Sequence, residues 1–334
     1  MNNENRILNK LKSKWPLLLI FIIFIFFILP VLITKIHIST LFDFSQTGQI
    51  GDTIGGITNP IIAFIAAILT FMAFYVQYEA NETQKKQFME VRIENNVFEL
   101  LKKHNENTQR ILYDKVYEKW SPFKSFFHEI AVLYWNLKNF FSEKQILYDE
   151  DEFLNIVYHL FYFGLNYESK VILEERIKFQ YYEEFLNFIE RYSFAGYRNQ
   201  SYEYQYRFDG KQNTEVVHLP TRVGLGHHDE LGLYFRHLFQ TIKYIDEQET
   251  FDINDKYRLA KIVRSHLGAY EQIVLFYNSF STIGKSWIEN NYIIKYQMIK
   301  NIPLSFINFG VHPETIYKSK IQFEWEENNS NKHF

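Results

Sequence analysis

The chain has 334 residues, 47% of them hydrophobic and 19% aromatic, which is ample for one large packed core or two small ones and excludes a disordered protein. Its 36 basic and 39 acidic residues leave a net charge of -3, so no bulk positive field marks nucleic acid as a partner, and any such contact would have to be local. The absence of cysteine excludes disulfides, thiolate metal sites, iron–sulfur clusters and a cysteine nucleophile, while only 7 prolines and 13 glycines suit long helices joined by short loops.

Residues 1–14 form a basic N-terminus carrying Arg6, Lys10, Lys12 and Lys14. Residues 15–34, WPLLLIFIIFIFFILPVLIT, contain no charge and have the length of a transmembrane helix. The run is longer than a signal-peptide core and no small-residue cleavage site follows it. A short external loop, 35–52, precedes a second uncharged run, 53–78, bounded by Asp52 and Glu79. Within GDTIGGITNP, Pro60 fits the first turn of a membrane helix, Asn59 or Thr58 could cap its free amides, and Gly55 and Gly56 allow close backbone approach. Lysine and arginine cluster before the first span and after the second, at Lys85, Lys86 and Arg92, with only Lys35 between, which predicts a hairpin with both termini in the cytoplasm.

From Glu79 to residue 115 no Gly or Pro interrupts a helical stalk in which Phe88, Val91, Phe98, Leu101 and Leu112 recur near helical spacing. Such a stalk could self-associate as a coiled coil, with Asn95 and Asn105 near its seam. Residues 116–322 are expected to form a cytoplasmic helical domain, and 323–334 a disordered tail. Segments 123–142, 151–165 and 170–195 read as amphipathic or buried helices, with His128 and His159 as core histidines. In 201–219 the period changes to two: Tyr202, Tyr204, Tyr206 and Phe208 alternate with polar residues, Asp209-Gly210 marks a turn, and Val217 and Leu219 alternate on the return. This predicts a small β-hairpin inserted in a mainly α domain.

Two helices carry the remaining polar interest. One starts near His228 or Asp229 and buries Leu231, Tyr234, Phe235, Leu238, Phe239, Ile242 and Ile245. The other is expected as a single helix from about Ile253 to Phe280. On it Tyr257, Arg264, Glu271 and Asn278, spaced by seven, would form one row beside the apolar stripe, as a binding site or a buried polar network requires. GHHDELGLYFRHLFQTIKYID (226–246) followed by YRLAKIVRSHLGAYEQIVLFYNSFS (257–281) resembles the C-terminal signature of the phage abortive infection family of AbiC-like bacterial proteins. The glycine-rich start of the second membrane run, ending in Asn-Pro, is similar to that family too. The matching positions include His227, Tyr234, Phe235, Arg236, His237, Arg264, Glu271, Tyr277 and Asn278. The resemblance implies anti-phage defence at the bacterial inner membrane and supplies no mechanism.

Catalytic candidates are His227, Arg236, His237, Arg264 and Glu271. No metal site is expected, because adjacent helical residues such as His227, His228 and Asp229 point about 100° apart and no H-E-x-x-H occurs. No cofactor fingerprint is present. A HEPN-like ribonuclease would need an arginine and a histidine about five positions apart on a helix; Arg222 and His227 have that spacing but straddle two glycines. A pair assembled across helices with Glu271 as acid–base partner remains open. The expectation placed first is a non-enzymatic membrane effector whose cytoplasmic domain senses a phage or stress cue. Its partners would be membrane lipid, further copies of the chain, and a phage protein or another defence component; a scaffold that anchors such a component is the remaining alternative.

Overall fold

The computed structural model describes residues 47–112, 121–165, 179–199, 201–208, 211–317 and 319–324, together with Phe21, Phe24, Ile25, Ile28, Lys170, Val171 and Glu174. The chain is mainly helical and divides into two units, Met1–Gln84 and Lys85–Phe334. Helix α1, Thr47–Leu112, contributes residues to both.

In the first unit, α1 is apolar on every side. Ile61, Ile62, Phe64, Ile65, Ile68, Leu69, Phe71, Met72, Phe74 and Tyr75 are all exposed. Ala63, Ala66, Thr70 and Ala73 occupy the remaining sector and are exposed as well. It is the one helix among the described residues long and apolar enough, by length and composition, to cross a membrane. The helix-start reading of GDTIGGITNP is corrected: α1 begins at Thr47 and Pro60 lies inside it. Thr58 donates to Ile54 O at 2.7 Å rather than capping an amide, and Gly55, Gly56 and Asn59 are helix-interior positions. Of the earlier run, 15–34, only Phe21, Phe24, Ile25 and Ile28 are described, all helical; the remainder, and the hairpin that depends on it, lies outside the described residues.

The second unit is built around α2, Pro122–Glu143, whose Phe126, Ile130, Ala131, Val132, Leu133, Tyr134 and Leu137 are buried on several sides. Helix α3, Glu150–Phe163, packs along it; Asp149 caps the start by accepting from Asp151 N and Glu152 N, and Gly164 ends it at φ 72°. Helix α4, Phe179–Asn199, leads into an antiparallel hairpin of β1, Tyr202–Phe208, and β2, Lys211–Val217, in register Tyr202↔Val217. The tyrosine stripe is a packing face: Tyr202 and Tyr204 are buried and Tyr206 lies 5.9 Å from Trp135 of α2.

Helix α5, His228–Asp246, buries the predicted stripe, with Leu231, Tyr234, Leu238, Ile242 and Ile245 inaccessible. The single helix expected over 253–280 is two: α6, Ile253–Ser265, capped by Asp252, and α7, Ala269–Phe280, which opens at Gly268. Glu271 reaches back to accept from Gly268 N at 2.6 Å, half of a capping box that makes a new helix start mid-pattern. Short helices α8, Ser286–Glu289, α9, Tyr292–Lys295, and α10, Pro313–Tyr317, close the fold. Phe323, assigned from sequence to a disordered tail, is fully buried. The second-unit part of α1 is amphipathic rather than a free stalk. Ile93, Val97, Leu101, His104, Asn107 and Ile111 pack inward, whereas Phe88, Val91, Asn95, Phe98 and Asn105 face out.

Candidate functional site

The stretch around His227 is a lock between four elements. His227 Nε2 lies 2.8 Å from Glu129 Oε2, both side chains buried, and Glu129 Oε1 accepts from Gly224 N at 2.9 Å. The imidazole sits between the rings of Phe126 and Phe161, at 4.6 and 5.0 Å. Backbone pairing runs alongside: His227 N donates to Tyr162 O at 2.8 Å and Leu165 N to Gly224 O at 2.9 Å. Such close approach needs glycine. At Gly226, φ 90°, a Cβ would lie 2.5 Å from Phe163 C, and at Gly164 one would clash with the Leu225 carbonyl. Ser193 donates to Val223 O and Val223 N donates to the Tyr202 hydroxyl at 3.1 Å, which ties the same loop to α4 and β1.

The other signature residues hold the fold at three further places. Arg264, 5% exposed, donates from Nη1 to the carbonyls of Tyr296 and Gln297 at 3.1 and 3.0 Å, and Tyr257 Oη donates to Gln297 Oε1 at 3.1 Å. This clamps a turn in which Gln297 has φ 51°. Glu271 accepts from Tyr234 Oη at 3.0 Å as well as from Gly268 N; burial pushes its carboxyl up, and the two hydrogen bonds oppose that shift. Asn278 Nδ2 donates to Tyr158 Oη at 3.0 Å. The row Tyr257, Arg264, Glu271, Asn278 is therefore corrected: the break at Gly268 divides it between two helices, Tyr257 and Arg264 of α6 holding the turn at Gln297 together while Glu271 and Asn278 of α7 hold other parts of the fold.

His237 and His104 form a second group. Their rings lie 6.0 Å apart and nearly parallel, and the His104 ring is 4.7 Å from Tyr234. Among the described residues, neither nitrogen of His104, nor Nδ1 of His237, has a hydrogen-bond partner. Burial, then the nearby His237 and His266, hold the His104 pKa down at about 4. Burial and Lys103 lower that of His237. No cluster of three or more metal-ligating side chains occurs among the described residues.

Arg236 is not a core residue. It is exposed, and its Nε donates to Gly232 O at 2.9 Å. It borders a cavity of about 160 Å³ between α5 and the segment entering α8, together with Tyr162, Gly232, Gln240, Ser286 and Trp287. Phe235, Phe239 and Ile283 supply apolar wall. A Cβ at Gly232 would stand 3.0 Å from Tyr162 Oη and 3.9 Å from Arg236 Nη2, so this glycine lets the Tyr162 hydroxyl pack close to the α5 backbone beside Arg236. Burial raises the Tyr162 pKa; Arg236 opposes that shift and Asp229 adds to it.

Arg264, Glu271 and Asn278 were legible as polar residues beside an apolar stripe, and His227 as a candidate ahead of its helix. Their partners Glu129, Tyr158 and Gln297, and the cavity residue Tyr162, were not. Glu129 alone had a signal, as the one carboxylate inside the apolar run EIAVLYW. Residues 226–307, about a quarter of the chain, match the model of the family described as "Putative phage abortive infection protein". The match covers α5 through α9 and reaches the turn after Phe306. No curated protein and no solved structure matches the chain.

Proposed function

We propose that this protein is a membrane-anchored effector of anti-phage defence, in which the Lys85–Phe334 unit responds to a phage-derived or stress-derived cue and the apolar helix carries the response to the bilayer. The family match supports the general defence role. The membrane part is carried by one observation: between Ile61 and Val76, α1 exposes apolar side chains on all sides and no charge. At 1.5 Å per residue, 53–78 spans about 39 Å, more than the roughly 30 Å hydrocarbon core. Transfer of the Ile, Leu, Phe and Val side chains of 53–78 to a bilayer centre is favourable by roughly 3–7 kcal/mol. Thr58 and Thr70 donate to the carbonyls of Ile54 and Ala66, so neither hydroxyl is left unsatisfied in lipid. A second span at 15–34, cytoplasmic termini and assembly of several copies complete the proposal.

The dispersal of the catalytic candidates favours this reading over a nuclease. His227 is engaged with Glu129, Arg264 with backbone carbonyls, and Glu271 with Tyr234 and Gly268. The test is expression during phage infection, with membrane potential, dye entry and total RNA followed together. Protection with depolarisation and intact RNA is the expected result, with the protein resisting alkaline extraction from membranes. Cleaved tRNA or rRNA at an undisturbed potential would overturn the effector assignment.

A further inference from the structure

The cavity beside Arg236 has the chemistry of an anion-binding cleft. All its lining residues except Tyr162 fall within 226–307, so the segment that carries the family match also encloses this space. Arg236 and Tyr162 offer donors to it, while Asn278, which also lines it, uses its Nδ2 on Tyr158 Oη. The Arg236 guanidinium is steadied through Nε on Gly232 O, and its terminal amino groups have no partner among the described residues. Tyr162 is 8% exposed, and its hydroxyl likewise has no hydrogen-bond partner among them. Gly232 lets the Tyr162 hydroxyl come within 3.0 Å of where a Cβ would stand, with Arg236 Nη2 at 3.9 Å from the same point. Gln240 and Ser286 add further hydrogen-bonding groups to the lining.

A guanidinium edge beside a phenol hydroxyl matches an oxyanion. It repels cations and leaves its donors unmet by an apolar guest. Several donors around one small space suit three terminal oxygens better than two. At roughly 30 Å³ per water, a volume of about 160 Å³ holds about five waters. That admits one phosphoryl group with its first substituent and leaves a nucleoside outside, since whole drug-sized ligands need about 300 Å³ or more. We infer that this cleft binds a phosphorylated small molecule by its phosphoryl group, with Arg236 and Tyr162 as the donors and Phe235, Phe239 and Trp287 as the wall beside them. Asp229, exposed nearby, opposes the anion and weakens it. The inference goes beyond the defence reading and does not rest on it, because its readout is binding to the purified protein.

The test is calorimetric titration of the detergent-solubilised full chain with inorganic phosphate, AMP, adenosine and acetate. Phosphate and AMP are expected to bind, and adenosine and acetate not to. Arg236→Gln should weaken AMP at least tenfold while keeping the wild-type melting temperature, because Arg236 is exposed and among the described residues hydrogen-bonds only within its own helix. Asp229→Asn should tighten it. Silence of both phosphate and AMP at millimolar concentration, equal affinity in wild type and Arg236→Gln, or acetate binding as tightly as phosphate would each overturn the proposal.

Discussion

Replacing His104 with phenylalanine should flatten the acid limb of the stability curve. His104 is 2% exposed on the inward face of α1, and a neutral imidazole there leaves one donor and one acceptor unmet by the described residues. The groups facing it are Tyr234 and His237 of α5 and His266 at the end of α6; Glu271 of α7 reaches the group through Tyr234. None supplies an adjacent carboxylate, so burial holds the folded pKa at about 4 against 6.5 when free. The folded state therefore binds fewer protons than the unfolded one. The stability from this group is full above about pH 6.5 and is lost as pH falls from there toward 4. Integrated between pH 7 and 4, the loss is about 3 kcal/mol. The assay is urea unfolding followed by tryptophan fluorescence, for wild type and His104→Phe, at several pH values across that range. The variant should be more stable already at pH 7, because it removes two unmet buried atoms that cost about 1–3 kcal/mol each. The gap should then widen by about 3 kcal/mol at pH 4. Parallel pH curves would refute the reasoning.

Glu129→Ala should cost about 3–5 kcal/mol, since it leaves His227 and the Gly224 amide without their shared acceptor; a loss below 1 kcal/mol in denaturant unfolding would contradict the lock. Gly226→Ala meets both a positive φ and the Phe163 backbone and should destabilise by about 2 kcal/mol or more, read as a lower melting temperature and lower abundance. Arg264→Lys keeps the charge but loses the two-carbonyl grip on residues 296 and 297; a cost of about 1–3 kcal/mol is expected, together with faster amide exchange in the turn after α9. Exchange unchanged at 297–301 would count against the clamp.

Much of this was written in the local sequence. The apolar run 53–78, the alternating tyrosines of β1 and the stripe of α5 each depend on neighbours within a few residues, where helical or strand periodicity is decisive. The break between α6 and α7 was harder, because Gly268 and Glu271 interrupt a pattern whose apolar spacing continues through them. Partnerships could not be read at all. His227 meets Glu129 across nearly a hundred residues, Asn278 meets Tyr158, and Arg264 holds carbonyls of a turn that has no side-chain signature. The row of polar residues spaced by seven was real as a pattern, yet only Tyr257 and Arg264 act together, on the turn at Gln297, while Glu271 and Asn278 serve separate contacts. Arg236 shows the converse: as a sequence position it resembled its buried neighbours, and only packing left it at the mouth of a cavity beside Tyr162. The sequence determines which faces are apolar, since that follows from backbone period. Which distant group satisfies each buried donor or acceptor follows from how the helices close on one another, and tertiary structure alone decides it.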